Sequence, residues 1–304
     1  MWLSLAFISA LLLGGYEIFI KQSLKFNDVI PVLFFNTLIS SLIFTPFIFL
    51  SQNGVIDPDS LVYIPETNLV EQGAVLIKSA LVLSSWVLGY MAMKHLPLSL
   101  TGPVNATRPV MVLLGAVLIF GEMLNLWQWL GVITAITAFC LLSRSGKKEG
   151  IDFKHNKWIF LMVLACILGA GCGLYDKYLM AAPQGGGLGL NRMVVQTYYN
   201  YYQCAMMGLM MILLWFPHRK EKTFKWCWTI LGISLFLSAA DFAYLYALSL
   251  DGAMIAIVSM IRRSSVIVSF GFAALVLHEK NLRNKAIDLG LVILSMILIG
   301  VGTL

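Results

Sequence analysis

Long apolar runs separated by short polar stretches alternate along the whole 304-residue chain. A helix that crosses a membrane needs about 20 mostly apolar residues, and ten runs reach that length. The pattern therefore predicts ten transmembrane helices, which we call segments 1 to 10 in chain order. They span 2–23, 29–50, 72–94, 98–120, 123–143, 157–180, 190–216, 225–249, 252–277 and 282–303.

The two halves of the chain carry similar short motifs in the same order. The matching motifs are Tyr16–Glu17 with Tyr175–Asp176, FFN (34–36) with YYN (198–200), and Arg108 with Arg263. Each half has five segments, and an odd number means that the second half enters the membrane from the opposite face. We therefore predict two inverted five-helix repeats, residues 1–147 and residues 148–304.

The composition agrees with a protein whose solvent is lipid. The chain is 59% hydrophobic and 12% charged, whereas a soluble domain is about 45–50% apolar and about 25% charged. The expected fold class is therefore an all-α membrane protein. The five cysteines all lie in apolar runs and show no spacing typical of disulfides or metal sites, so we expect no metal and no cofactor.

The positive charges indicate the orientation in the membrane. Of the 21 lysines and arginines, fifteen fall in loops on one side, two on the other side and four within segments. Loops rich in lysine and arginine face the cytoplasm, so both termini are expected outside it, in a bacterial inner membrane. This asymmetry explains the net charge of +6, and nucleic acid is not an expected partner.

Charged residues within the segments are candidates for function, because a charge at the centre of a bilayer costs about 2.5–3.5 kcal/mol or more. Four cations and three carboxylates lie there. They are Lys78, Arg108, Arg262 and Arg263, with Glu17, Asp176 and Asp241. One positive charge remains if every carboxylate forms a pair, which favours an anionic group as the missing partner.

Helical spacing places polar residues of four segments on single faces. These faces are Thr101, Asn105 and Arg108 in segment 4; Gln196, Tyr199, Asn200 and Gln203 in segment 7; Ser234, Ser238, Asp241 and Tyr244 in segment 8; and Ser259 with one of the two arginines in segment 9. One central wet pocket accounts for all four faces. We therefore predict a substrate site formed by Asn105, Arg108, Arg262, Arg263, Tyr199, Asn200, Gln203, Asp241, Tyr244 and Lys78.

Structural roles remain open for several of these residues. Arg108 and Arg263 could form buried ion pairs with Glu17 or Asp176 that lock the two halves together. Lys78 could instead extend its ammonium group to the membrane surface. Glu17 lies toward the cytoplasmic end of segment 1 and Asp176 toward the outer end of segment 6, so we also consider them as gate residues, one on each side of the membrane.

The ends of the two halves resemble each other and a known group of proteins. GEMLNLWQWLG (121–131) and HEKNLRNKAIDLG (278–290) each place an acidic residue before the last segment of the half. With the ten segments, they resemble the drug/metabolite transporter superfamily, EamA-like. TYYNYYQ (197–203) is partially similar to a motif of its nucleotide-sugar branch, and MIRRSSV (260–266) is similar to the basic pair of its phosphate-ester transporters.

This resemblance implies a secondary active transporter, and not an enzyme, that moves a small polar, anionic metabolite by alternating access. Two alternatives stay open. The chain could export amino acids or amphipathic drugs, with the arginines in structural ion pairs, or it could move phospholipids between leaflets. The expected partners are the lipid bilayer, a small-molecule substrate and a coupling proton or counter-substrate, and the expected state is a monomer or homodimer.

Overall fold

The computed structural model describes residues 2–111, 114, 124–147, 155–180, 187–218, 224–250, 255–276 and 282–303. Every regular element within these ranges is helical, so the predicted all-helical class is confirmed for them. Five of the helices are long and apolar enough to cross a membrane. Their outward faces carry large exposed apolar side chains, as at Phe7, Leu42 and Ile77.

Four helices cover the described part of the chain up to residue 106. They are α1 (Trp2–Leu24), α2 (Val29–Gln52), α3 (Leu69–His95) and α4 (Leu98–Ala106). A capping box starts α3, because the Asn68 side chain accepts a hydrogen bond from the Glu71 amide at 2.9 Å while the Glu71 carboxylate accepts one from the Asn68 amide at 3.3 Å. This cap ends the polar loop between α2 and α3.

Seven helices follow in the rest of the described chain. They are α5 (Leu126–Lys147), α6 (Lys157–Met180), α7 (Arg192–Met210), α8 (Trp228–Leu248), α9 (Ile255–Arg263), α10 (Ser265–Leu275) and α11 (Leu282–Thr303). Beyond its last residue, α7 continues into one π-helical turn, Met211–Trp215, and a short 3₁₀ turn, Phe216–His218. Asn191 caps α7 by accepting a hydrogen bond from the Met193 amide at 2.8 Å.

Segment 4 is not one continuous helix, so this part of the prediction was wrong. After α4, Thr107 forms a turn and helical structure resumes at Arg108. The cause is Pro109, which has no N–H to donate to the carbonyl of Asn105. The Thr107 hydroxyl instead donates to the carbonyl of Val104 at 2.7 Å. The remainder of segment 4 lies outside the described residues, except for residues 110, 111 and 114.

Segment 9 is also interrupted, again contrary to the prediction of one helix. Ser264 forms a turn between α9 and α10, and its hydroxyl donates to the carbonyl of Ile261 at 2.6 Å. In both segments a side-chain hydroxyl bonds a carbonyl three residues earlier, which competes with the regular helical pattern. The turn directly precedes Arg108 in segment 4 and directly follows Arg263 in segment 9.

The largest helix interfaces all join residues before position 148 to residues after it. These interfaces pair α1 with α8, α3 with α6, α2 with α7, and α5 with α11. Serine hydroxyls bridge three of them, from Ser9 to the Ala240 carbonyl at 2.7 Å, from Ser85 to Ala165 at 2.8 Å and from Ser295 to Gly131 at 2.7 Å. The two halves of the chain are therefore interleaved.

Candidate functional site

A cavity of about 170 Å³ lies between the interleaved helices. Its walls come from α1, α3, α4, α6, α7, α8 and α9, together with the residues that follow α4. An engineered apolar cavity of about 150 Å³ holds one benzene molecule. In this conformation the cavity therefore has room for a compound of about the size of a six-membered ring.

All seven charged residues predicted within the segments line this cavity. They are Lys78, Arg108, Arg262, Arg263, Glu17, Asp176 and Asp241. Sequence spacing suggested that only one of the two adjacent arginines would point into it, but both do. Asn105, Tyr199 and Tyr244 line it as well. The structure thus brings ten of the twelve predicted site and gate residues together.

Two of the four cations form ion pairs across the cavity. The Lys78 ammonium of α3 donates to the Asp176 carboxylate of α6, and the Arg262 guanidinium of α9 donates to the Asp241 carboxylate of α8. Lys78 is 5% exposed, so its ammonium group does not extend to the membrane surface. Buried pairs of this kind neutralise charges that would be costly alone.

Tyrosines connect the two ion pairs. The Tyr199 hydroxyl of α7 donates to the second oxygen of the Asp241 carboxylate. The Lys78 ammonium lies 5.3 Å from the centre of the Tyr199 ring, and the Arg262 guanidinium lies 4.3 Å from that of Tyr244. Both distances are typical of cation–π contacts. One network therefore runs through α3, α6, α7, α8 and α9.

The other two cations, Arg108 and Arg263, lie near Glu17. The Glu17 carboxylate is held by the hydroxyls of Ser265 and Ser269, and Arg108 and Arg263 are its positive neighbours. Neither arginine has a carboxylate within 4.0 Å among the described residues. One Glu17 oxygen and the Arg108 Nε are buried without a hydrogen-bond partner in that part of the chain.

The position of Arg108 depends on a glycine of the facing helix. A Cβ atom placed on Gly169 of α6 would lie 2.6 Å from the guanidinium carbon of Arg108. Such a distance is shorter than a van der Waals contact, so a larger residue at position 169 would displace the Arg108 guanidinium from its present place. Asn105, one turn before Arg108, accepts a hydrogen bond from the Cys166 thiol at 3.5 Å.

Asn200 and Gln203 do not line the cavity. They lie on the face of α7 that packs against α2 and α8, and each is at most 2% exposed. There, Gln196 donates to the Ser238 carbonyl at 2.9 Å, and Ser234 donates to the Asn36 carbonyl at 3.2 Å. We call this buried interface, formed by Asn36, Ser40, Gln196, Asn200, Gln203, Ser234 and Ser238, the polar seam.

Several cavity residues were not predicted from the sequence. Tyr16 and Tyr90 line the wall and their hydroxyls lie 3.3 Å apart, and Ser85 and Trp86 face the cavity from α3. The sequence did contain a signal for the cavity-lining residues of α3, because they recur at seven-residue spacing, as Lys78 and Ser85 do. The aromatic residues at this spacing were missed because they look like ordinary core residues, whereas a lysine does not.

A family model and a solved structure are similar to this chain. The family model of the EamA-like transporter family matches residues 1–144, which confirms the resemblance inferred from the ends of the two halves. No curated protein matches the chain. A solved structure titled "Crystal structure of protein" is similar over 98% of this chain and 96% of its own, with a TM-score of 0.61 and 14% identity. That likeness concerns the fold alone.

Proposed function

Because residues 1–144 match the model of the EamA-like transporter family, whose members move small molecules across membranes, we propose that this chain is a secondary transporter of a small polar anion. It works by alternating access, with ten segments arranged as two inverted five-helix repeats, 1–147 and 148–304. The substrate lies in the charged cavity, near the middle of the membrane, where the two repeats meet.

The pairing of helices supports the inverted repeats. If segments 1 to 5 correspond to segments 6 to 10, the α1–α8 interface becomes the α6–α3 interface, and both are large. The α2–α7 and α5–α11 interfaces each map onto themselves, as expected for helices that lie beside a two-fold axis. A serine hydroxyl donates to a backbone carbonyl across each of these two interfaces, from Ser9 to Ala240 and from Ser85 to Ala165.

The single observation that carries the choice of an anion is the state of the arginines. Arg108 and Arg263 share only Glu17 as a negative neighbour, and neither forms an ion pair within the described part of the chain. A guanidinium binds carboxylate or phosphate through two parallel hydrogen bonds. A bound anion therefore supplies the negative charge that this part of the wall lacks.

Each remaining site residue has a role in the proposal. Asn105, Tyr199 and Tyr244 contact the uncharged part of the substrate, while Lys78, Asp241 and Arg262 position Tyr199 and Tyr244 around it. The gate residues Glu17 and Asp176 link different helices, because Glu17 of α1 bonds serines of α10 and Asp176 of α6 pairs with Lys78 of α3. Opening one link and keeping the other exposes the cavity to one side at a time.

A second candidate function follows from the Lys78–Asp176 and Arg262–Asp241 pairs, which already neutralise two of the four cations. If Glu17 neutralises a third, the arginines only hold helices together. The chain would then export neutral or cationic compounds such as amino acids or amphipathic drugs, which contact the aromatic part of the wall.

A thermal-shift screen of the purified protein in detergent distinguishes the two functions. The panel holds carboxylates, phosphate esters, amino acids, quaternary amines and short-chain phospholipids. We expect an anion to raise the melting temperature of the wild type, and this shift to disappear in both Arg108→Gln and Arg263→Gln. Transport of the same anion is then measured in proteoliposomes.

The matched control is Arg192→Gln, because Arg192 begins α7 outside the cavity and contacts the ring of Tyr246. This variant is expected to keep the wild-type shift. A neutral, cationic or lipid ligand whose shift survives both cavity substitutions would overturn the proposal in favour of the second function or of lipid transport.

A further inference from the structure

We propose that Lys21 is a latch that holds one end of the cavity shut, and this role rests on the alternating access of the proposed function. The ammonium group of Lys21, near the end of α1, donates to two backbone carbonyls at the end of α3. They are the carbonyls of Met93, at 2.9 Å, and of Leu96. The latch therefore joins two helices that both line the cavity.

The sequence at the end of α3 leaves these carbonyls available. In a continuing helix, the Met93 carbonyl would accept a hydrogen bond from the amide four residues later. That residue is Pro97, which has no N–H to donate. Leu96 precedes the proline with an extended backbone, so its carbonyl also lies outside the helical pattern. A cation at the carboxyl end of a helix is favoured by the helix dipole as well.

The latch lies directly beyond one end of the cavity. Ile20, which precedes Lys21, lines that end together with Met93 and with Met162 of α6. These three lining side chains are at most 4% exposed. Toward the other end of α6, the wall residue Asp176 is partly exposed. In this conformation, the cavity is therefore covered at the end where the latch lies.

The latch bridges the two helix pairs between which the cavity lies. α1 packs mainly on α8 and α3 mainly on α6, whereas α1 and α3 share a much smaller interface. Exchange of the two halves maps α1 onto α6 and α3 onto α8. Within the described residues, α6 and α8 have at most a marginal contact. The two helix pairs therefore approach each other at the latched end and not at the other.

The position that corresponds to Lys21 in the second half has a different chemistry. Lys21 follows Glu17 by four residues, and Met180 follows Asp176 by four. Met180 packs against an apolar cluster that includes Leu245 of α8. A thioether cannot donate a hydrogen bond to a carbonyl, whereas an ammonium group can. The latch therefore favours the conformation that is closed at the end of α3 over its inverted counterpart.

Lys21→Met removes the donor and copies the residue of the second half. Met162→Cys is the reporter, because its side chain is 0% exposed behind the latch. The charge pattern assigns the ends of α3 and α7 to the same side of the membrane. A membrane-impermeant maleimide is therefore added, in vesicles, on the side from which a His218→Cys variant is labelled.

We expect the reporter cysteine to be labelled at least about fivefold faster when Lys21→Met is present, because hydrogen bonds from a charged donor are lost. Labelling at the same rate as with Lys21 intact overturns the inference. Lys21→Arg keeps a charged donor and should preserve slow labelling. Lys21→Met without the reporter gives the background from the five native cysteines.

Lys25→Met is the matched control, because Lys25 is exposed four residues further on. Its ammonium group lies 5.3 Å from the centre of the Phe26 ring. This variant removes the same charge from the same side of the membrane, and we expect it to leave the labelling rate unchanged. Equal acceleration by Lys21→Met and Lys25→Met would mean that surface charge controls access, which overturns the inference.

Pro97→Ala weakens the latch from its acceptor side and decides the question if Lys21→Met fails to fold. The alanine N–H can donate to the Met93 carbonyl and so competes with Lys21 for it. We expect the reporter cysteine to be labelled faster in this variant too, and in that case labelling at the wild-type rate overturns the inference.

The labelling needs no substrate, so its outcome is separate from that of the thermal-shift screen. If an anion binds but labelling stays slow in Lys21→Met, the proposed function stands and the latch is wrong. If labelling becomes faster but no anion raises the melting temperature, the latch stands and the choice of an anion is wrong.

Discussion

Each charged side chain of the cavity is held in a way that depends on its immediate neighbours. Lys78 and Arg262 have a carboxylate partner and an aromatic ring, while Arg108 passes over a glycine and Arg263 lies near Glu17. Since arginine stays protonated even when buried, the last two keep their charge. In the proposed function, they are therefore the residues that bind the anionic group of the substrate.

Gly169→Ala tests the placement of Arg108 without changing any charge. The added methyl group collides with the guanidinium, so Arg108 must move away from the cavity wall. We expect the affinity for the anion found in the screen to fall at least about 10-fold, which corresponds to about 1.4 kcal/mol, with folding retained. Isothermal titration measures this change.

Gly171→Ala is the control, because the same helix offers open space around that position. It should leave the affinity within about two-fold of wild type. Equal losses in both variants would mean that alanine disturbs α6 as a whole, and unchanged affinity in Gly169→Ala would separate Arg108 from anion binding.

At the same scale, the sequence predicted the charged members of the site better than the uncharged ones. Arg108, Arg262 and Asp241 are conspicuous in apolar segments because a charge there needs a partner. Asn200 and Gln203 were assigned to the cavity since they share a helical face with Gln196. Spacing identifies such a face, but only the packing of α2 against α7 determines which neighbour it meets.

The helices themselves follow from the apolar runs, except where segments 4 and 9 break. The breaks could not be located from hydrophobicity, because the residues on both sides are equally apolar. The residue types do locate the break in segment 4, because Pro109 cannot donate a backbone hydrogen bond and the Thr107 hydroxyl donates one to the Val104 carbonyl instead. Segment 9 has no proline, and the only local feature at its break is the Ser264 hydroxyl, which donates to the Ile261 carbonyl.

Pro109→Ala tests the break that precedes Arg108. A proline in a helix interior costs about 3 kcal/mol, so restoring the N–H should raise the melting temperature by a few degrees. The repaired helix also turns Arg108 away from its present direction, and we expect weaker anion binding. Differential scanning fluorimetry and titration measure the two effects on one sample.

Pro103→Ala is the matched comparison within the same segment. Pro103 lies inside α4 and does not line the cavity. That variant should gain stability and keep its affinity for the anion. If Pro109→Ala also keeps its affinity, the break does not position Arg108.

At the scale of the whole molecule, the sequence predicts two corresponding halves but does not reveal how they interleave. Short motifs such as Tyr16–Glu17 and Tyr175–Asp176 indicate that the halves correspond. They do not reveal that α1 packs on α8 and α3 on α6, because contacts between distant parts of the chain leave no local pattern. The cavity exists only because of these interfaces.

Orientation in the membrane is testable with single added cysteines. Glu66 and His218 are exposed on loops that the charge pattern assigns to opposite sides. We expect a membrane-impermeant maleimide to label Glu66→Cys in intact cells and His218→Cys only after permeabilisation. The wild type, with its own five cysteines, gives the background. Labelling in the reverse order would invert the predicted topology.

The unequal number of charges in the cavity has an electrical consequence. With its three carboxylates ionised, the cavity carries one net positive charge, from four cations against three anions. Moving one elementary charge through 100 mV involves about 2.3 kcal/mol. If the chain carries a monoanion by alternating access, as proposed, the bound anion cancels the net charge, so membrane voltage acts on the empty carrier as it reorients and leaves the loaded one nearly unaffected. Voltage would then set the rate at which the carrier resets between cycles.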